Sequence, residues 1–304
     1  MNISVEIGKL KLKDPVMVAS GTFGYGQEFK EIIDLSQLGA LVTKSITLKP
    51  RLGNPPPRLI ETSSGIINAI GLQNDGLEDF VKNKILDLSQ AGTAIIVSIA
   101  AEKVKDFIEL AKRLNEVKEI NALEINLSCP NVEKGGLHFC QDDRITFKVV
   151  SNVRKTTKLT LITKLTPNVT DITLTAKAAK EAGADAVSLV NTFLAMAVDV
   201  KTKKPKLANI TGGLSGPCIK PIALRLVWEV HRKVKIPIIG MGGIMNAEDA
   251  LEFILCGATA VAVGTANFIN PKVSIEIIEG IKNYLSQHKI KDIKNLIGAL
   301  KVNG

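Results

Sequence analysis

The chain has 304 residues, 45% hydrophobic and 23% charged, a balance that excludes a largely disordered or fibrous protein. Its 39 basic and 30 acidic residues leave a formal charge of +9. With aromatics at only 4% and the lysines scattered, as in KLKLK near the start and KTKKPK at 201–206, solvated faces fit better than a nucleic-acid surface.

No apolar run approaches the ~18 residues of a membrane span. The opening MNISVEIGKLKLKDPV alternates apolar and polar residues where a secretory signal would carry an apolar core, so a cytoplasmic setting is expected. Within it, residues 3–12 read as a hairpin covering the N-terminal end of whatever follows. Short apolar, β-branched runs then recur at 15–20, 40–45, 94–99, 122–128, 161–166, 186–191, 236–243 and 259–265. Near-continuous hydrophobic runs are how parallel strands buried on both faces read. Amphipathic stretches fall between and after them, at 28–38, 76–90, 103–118, 142–157, 171–182, 218–234, 246–256 and 271–286. Asp171 and Asn246 are placed to cap two of these helices, and Gly183 and Gly257 to stop them. DIKNLIGALK at 292–301 predicts a last short helix.

Eight strand–helix alternations without a linker predict an α/β fold, a (β/α)8 TIM barrel forming one domain over residues 1–304. A doubly wound sheet would leave two edge-like strands, and none of the eight reads that way. The segments after strands two, four and six run to roughly 31, 13 and 26 residues, beyond the ~2–6 usual for such loops. All three lie on the face where barrel enzymes build active sites, which predicts a lidded site there.

Candidate chemistry gathers at the same face. Gly242 and Gly243 follow strand seven and Gly264 and Thr265 follow strand eight, the two loops that often bind phosphate in barrels. Gly212, Gly213 and Gly216 in TGGLSG offer a further close approach. Lys44 and Lys164 end strands two and five inside apolar runs, where an ammonium needs a partner or a polar cavity. They suit an anionic ligand, a Schiff base or a developing negative charge. Asn68, Asn126, Asn131 and Asn191 suit a planar ligand with alternating carbonyl and N–H groups. The four cysteines form no CxxC pair, so neither a structural zinc site nor an iron–sulfur cluster is expected. Cys129 leaves strand four into a glycine-bearing loop as a candidate base, nucleophile or redox group; Cys140, Cys218 and Cys256 read as structural. His231 and His288 read as surface residues.

These strings together resemble the dihydroorotate dehydrogenases, flavoproteins of pyrimidine synthesis. The likeness runs from DPVMVASGTFGYG at 14–26 through TKSIT, INAIGLQN, NLSCPN, VNT and TGGLSGPCIKPIALR to GMGGI and AVGTA. A cysteine where the membrane-associated class uses serine, and no N-terminal extension before the first motif, resemble the soluble class 1. The stretch NTFLAMAVDVKTKKPKLANITGGLSGPCIKPIALRLV is similar to the 1B catalytic subunit; the alternative is a 1A-like homodimer that uses fumarate as electron acceptor. The 1B resemblance implies oxidation of dihydroorotate to orotate, with Cys129 removing a proton and FMN taking hydride. It further implies a partner subunit with FAD and a 2Fe-2S cluster passing electrons to NAD, in a heterotetramer of two catalytic and two electron-transfer subunits.

By the same resemblance FMN would contact Ser20, Lys44, Ser45, Asn126, Lys164, Val190, Gly216, Gly242, Gly243, Gly264 and Thr265. Dihydroorotate or orotate would contact Lys44, Asn68, Ala69, Ile70, Gly71, Leu72, Asn126, Asn191 and Thr192. Two positions depart from the family pattern. Ser98 stands where an asparagine usually touches the flavin, and its hydroxyl reaches less far. Cys140 follows Phe139 where glycine is common, a steric substitution without a catalytic role. A Schiff-base lyase using Lys44 or Lys164 is a reading from another class, but it leaves the asparagines and Cys129 without a purpose.

Overall fold

The computed structural model describes residues 1–127 and 142–302. The strands, in chain order, begin with a hairpin, β1 (Val5–Ile7) and β2 (Leu10–Leu12). They continue with β3 (Val16–Val18), β4 (Ala40–Val42), β5 (Leu59–Thr62), β6 (Gly65–Asn68), β7 (Ala94–Ile99) and β8 (Ala122–Asn126). After these come β9 (Thr160–Lys164), β10 (Ala186–Leu189), β11 (Phe193–Met196), β12 (Val198–Asp199), β13 (Lys204–Pro205), β14 (Thr211–Ser215), β15 (Ile238–Met241) and β16 (Ala260–Val263).

Eight of them, β3, β4, β7, β8, β9, β10, β15 and β16, pair in chain order and close on themselves as a parallel barrel. They are the eight expected strands. Most of their residues are buried on both faces, as in the BBB pattern of β3 and β4. Helices clothe the barrel because their apolar residues recur on one face. In Val104–Leu114 the buried residues are Phe107, Leu110, Ala111 and Leu114; in Lys220–Val234 they include Ala223, Leu226, Val227, Val230 and Val234. Asp171 accepts a hydrogen bond from the Thr173 amide and Asn246 one from the Asp249 amide, so both expected caps form.

Two expected helices do not form. Over 28–38 the chain makes two 3-10 turns, Gln27–Phe29 and Leu35–Gln37, because the Asp34 side chain takes the Ser36 amide and restarts the backbone there. Over 292–301 only the turn Ile293–Leu296 appears. Gly298, at φ +70°, ends it, and the amides of Gly298 and Leu300 donate instead to the carbonyls of Ile254 and Leu255.

The N-terminal hairpin sits at the entry end of the barrel strands. The Lys9 amide donates to Thr160 Oγ1 at 3.2 Å, and Gly8, at φ +58°, lies against Asp185. Asp14, just before β3, is buried and accepts from the Val16 amide at 2.9 Å. Burial pushes its carboxyl up to about 6, against the lowering effect of that bond and of Lys13.

The exit end carries a feature that sequence reading missed. The long loops after β4 and β10 form one antiparallel sheet in the order β11-β14-β6-β5, pairing Gly213 with Asn68 and Leu214 with Ile67. The expected lid is therefore a shared sheet built from two distant stretches. The two short runs LIET and GIIN on either side of Ser63-Ser64 are a hairpin signal that could have revealed part of it.

Candidate active site

Between this sheet and the C-terminal ends of the barrel strands lies a cavity of about 780 Å3, within the ~300–1,000 Å3 typical of small-molecule sites. Lys164 closes β9, is 5% exposed and reaches the cavity wall. Its ammonium lies 3.9 Å from the buried carboxylate of Glu124 on β8. Lys44, two residues past β4, lines the cavity and makes no ion pair among the described residues. Beside Lys44 in the chain, the Ser45 hydroxyl is a junction: 3.4 Å from Ser20 Oγ, 3.0 Å from Ser98 Oγ, and accepting from Asn126 Nδ2 at 3.2 Å.

At one end the walls are backbone. Gly216, Gly242 and Gly243 all have positive φ, at +107°, +124° and +84°. A Cβ on Gly243 would fall 2.8 Å from Lys220 Cβ and 2.9 Å from the Gly216 carbonyl oxygen, so only glycine lets these two loops touch. Lys220 is braced away from the cavity, 2.5 Å from Asp249 Oδ1 and 2.8 Å from Glu252 Oε2. Burial alone would depress its ammonium, but the bonds to those carboxylates outweigh this and raise it. Asp249 Oδ2 also accepts from the Met245 amide, fixing the turn after Gly243. Thr265 donates to Ser215 Oγ at 2.8 Å across the same end. Such a glycine-lined end suits an anionic group held by backbone N–H.

At the other end the shared sheet supplies amides. Asn68 Nδ2 donates to the Gly213 carbonyl at 3.3 Å, and Ala69 to Leu72 follow along the wall. Asn191 Oδ1 accepts from the Thr192 amide at 2.8 Å. Asn168 donates to the Thr192 carbonyl at 3.0 Å and accepts from the Leu194 amide at 2.9 Å, clasping the crossing from barrel to sheet. The cavity thus has a glycine-lined end, a middle with Lys44, Lys164 and Asn126, and an end lined by Asn68, Asn191 and Thr192.

A sequence model of the dihydroorotate dehydrogenase family matches residues 2–285. The chain belongs to the dihydroorotate dehydrogenase family. Relatives named dihydroorotate dehydrogenase B (NAD(+)), catalytic subunit, run along its whole length. The protein of Thermoanaerobacter sp. strain X514 is 53% identical over 303 residues, covering 100% of both chains. That of Trichlorobacter lovleyi is 54% identical over 299 residues, 98% of each. That of Bacteroides thetaiotaomicron is 51% identical over 301 residues, 99% of each. These names favour the NAD-linked form over the fumarate-using alternative.

Around this family's barrel the structure gathers nearly all the residues singled out in the sequence. Ser20, Lys44, Ser45, Asn126, Lys164, Val190, Gly216, Gly242, Gly243, Gly264 and Thr265 line the cavity together with Asn68 to Leu72, Asn191 and Thr192. Ser98 does not: it is fully buried behind Ser45 and reaches the site only through that hydroxyl. Cys129, Asn131 and Cys140 lie outside the described residues. Cys256 is half-buried, its thiol pushed up by burial and by Glu252. Cys218, expected to be structural, is exposed at the start of a helix. His288 is exposed against Tyr284, whereas His231 is only partly exposed. It is half-buried at Gly257 and Gly298, and burial, then Lys235, holds its imidazole low. Sequence reading missed Glu124, Thr166, Asn168 and Ser215. Glu124 carried the same signal as Lys164, a charge inside an apolar strand. No helix among the described residues is long and apolar enough to cross a membrane.

Proposed function

We propose that the chain is the FMN-bearing catalytic subunit of an NAD-linked dihydroorotate dehydrogenase, oxidising dihydroorotate to orotate in the cytoplasm during pyrimidine synthesis. The observation that carries this reading is one cavity whose three parts match three chemistries. Backbone at Gly216, Gly242, Gly243 and Gly264 fits the phosphate of FMN. Lys164, with Ser45 and Asn126 beside it, fits the polar edge of the flavin ring, where electron density gathers on reduction. Lys44, Asn68, Asn126, Asn191 and Thr192 fit a carboxylated ring with alternating carbonyl and N–H groups.

FMN, when bound, supplies the hydride acceptor. The chain's own residues do the rest. Lys44 pairs with the substrate carboxylate, and the asparagine amides hold the ring in one orientation. Asn168 keeps Thr192 and β11 in register with the barrel. The sheet over the cavity excludes water from the reacting faces. Cys129 takes the proton from the dihydroorotate ring, its thiolate being the competent form. A thiol of reference pKa ~8.5 then predicts turnover that rises with pH through the cysteine's ionisation; a flat profile would count against Cys129. Electrons leave through a partner subunit carrying FAD and a 2Fe-2S cluster, which reduces NAD within a heterotetramer of two catalytic and two electron-transfer subunits.

The purified chain should be yellow and bleach anaerobically with dihydroorotate. A colourless chain with no affinity for FMN would overturn the reading. Cys129→Ala should keep the colour and lose the bleaching. Reduction of fumarate by the isolated chain, with no need of a partner, would restore the homodimeric alternative.

A further inference from the structure

Glu124 sits in the middle of β8, between Leu123 and Ile125, in a run that is otherwise apolar. It is 2% exposed and does not line the cavity. Its Oε2 accepts from Ser188 on β10 at 2.9 Å. Its Oε1 lies 3.9 Å from Lys164 Nζ and accepts no hydrogen bond among the described residues. A carboxylate with half its acceptors unfilled inside a barrel is unfavourable, and an apolar side chain of similar size would avoid that cost. The pair is also asymmetric, with the cation at the cavity wall and the anion behind it.

We infer that Glu124 is a positioning residue that holds the Lys164 ammonium at the cavity wall and attenuates its field there, so setting the reduction potential of the flavin in front of it. The inference rests on the FMN reading. A bare cation beside the polar edge of the ring favours the reduced, anionic flavin. A countercharge directly behind that cation offsets part of the effect, and low local dielectric keeps the offset large. The potential is then matched to an acceptor instead of being driven as high as a lone lysine would take it.

The test is Glu124→Gln in the FMN-loaded chain, which keeps the size and the Ser188 contact while deleting the charge. The midpoint potential of bound FMN should rise by about 30 mV or more, a tenfold change in the ratio of reduced to oxidised flavin for a two-electron couple. The dissociation constant for sulfite, an anion that adds to oxidised flavin, should fall at least tenfold. In a Lys164→Gln background the same substitution should move both quantities by clearly less than in the parent, because the part of the effect that comes from holding the Lys164 ammonium at the wall is gone. If the amide is not tolerated, Glu124→Met deletes the same charge and has the same expected result. A potential and sulfite affinity unchanged from the parent, with only melting temperature or flavin content altered, would overturn the inference and leave the function standing. A parent chain that binds no flavin would overturn both.

Discussion

Gly243 and Gly264 both line the cavity, but the fold requires only one of them. Gly243, at φ +84°, has no room for a Cβ between Lys220 and the Gly216 carbonyl. Gly264 has a negative φ region available and its nearest neighbours, Ala19 and Thr22, are 3.7 and 3.8 Å from where a Cβ would sit. Gly243→Ala should therefore lower both stability and FMN affinity, the first by about 1–3 kcal/mol in a denaturant titration. Gly264→Ala should leave stability within about 0.5 kcal/mol and, on the proposed reading, still weaken FMN tenfold or more, because the added methyl would meet the cofactor and not the protein. Equal effects at both positions would mean that the glycines serve the fold alone.

Single residues were legible where type and place conflicted. Lys44 and Lys164 stand out as charges at the ends of apolar runs, and glycines stand out after the last two strands. Asn168 was not legible, since its work is to hold the Thr192 carbonyl and the Leu194 amide, contacts that exist only once β10 and β11 are placed. Ser98 shows the converse: its position in the string pointed at the flavin, but in the barrel Ser45 stands in front of it.

At the scale of elements, capping residues proved informative and amphipathic spacing less so. The carboxylate of Asp171 receives the Thr173 amide at 2.8 Å and the Thr173 hydroxyl at 2.6 Å at the start of Ile172–Glu181. Those bonds hold the carboxyl below its ordinary range, the hydroxyl contributing most. Asp171→Ala should cost about 1 kcal/mol at neutral pH, and Asp171→Asn less, as read from chemical denaturation. The same type of residue explains a miss. Phe29, Ile33, Leu35 and Leu38 have near-helical spacing, yet Asp34 caps a new turn inside the run, so Ile33, Leu35 and Leu38 are buried from an irregular stretch that holds only short 3-10 turns. A capping side chain in mid-pattern is a stop signal that hydrophobic spacing does not contain.

Across the whole molecule, the barrel was legible because fully buried parallel strands leave long apolar words in the sequence, and all eight were found. The shared sheet at the exit face was not, because its strands are short and half-exposed, and their pairing joins residues 59–68 to residues 193–215. A global property follows from the opposite end. Asp14 is raised to about 6 by burial, from an ordinary 3.8. The folded state therefore holds a proton there that the unfolded chain has released. Stability is greatest with respect to this group below about pH 4, falls as pH rises toward 6, and stays lower above it. Asp14→Asn should flatten that slope, gaining up to roughly 3 kcal/mol on the parent between pH 4 and pH 8. Parallel stability–pH curves for the two proteins would show that Asp14 contributes nothing to the slope.

Joining two loops into one sheet gives the exit face a shared inheritance. Asn68 rides on β6 and Thr192 leads into β11, and β14 hydrogen-bonds to both strands. Neither stretch can be exchanged for a relative's without presenting β14 with a foreign edge. A chimera that imports 59–68 alone, or 193–215 alone, should lose dihydroorotate affinity, whereas importing both should restore it. The chain writes these segments more than a hundred residues apart, but selection and engineering meet them as one cassette.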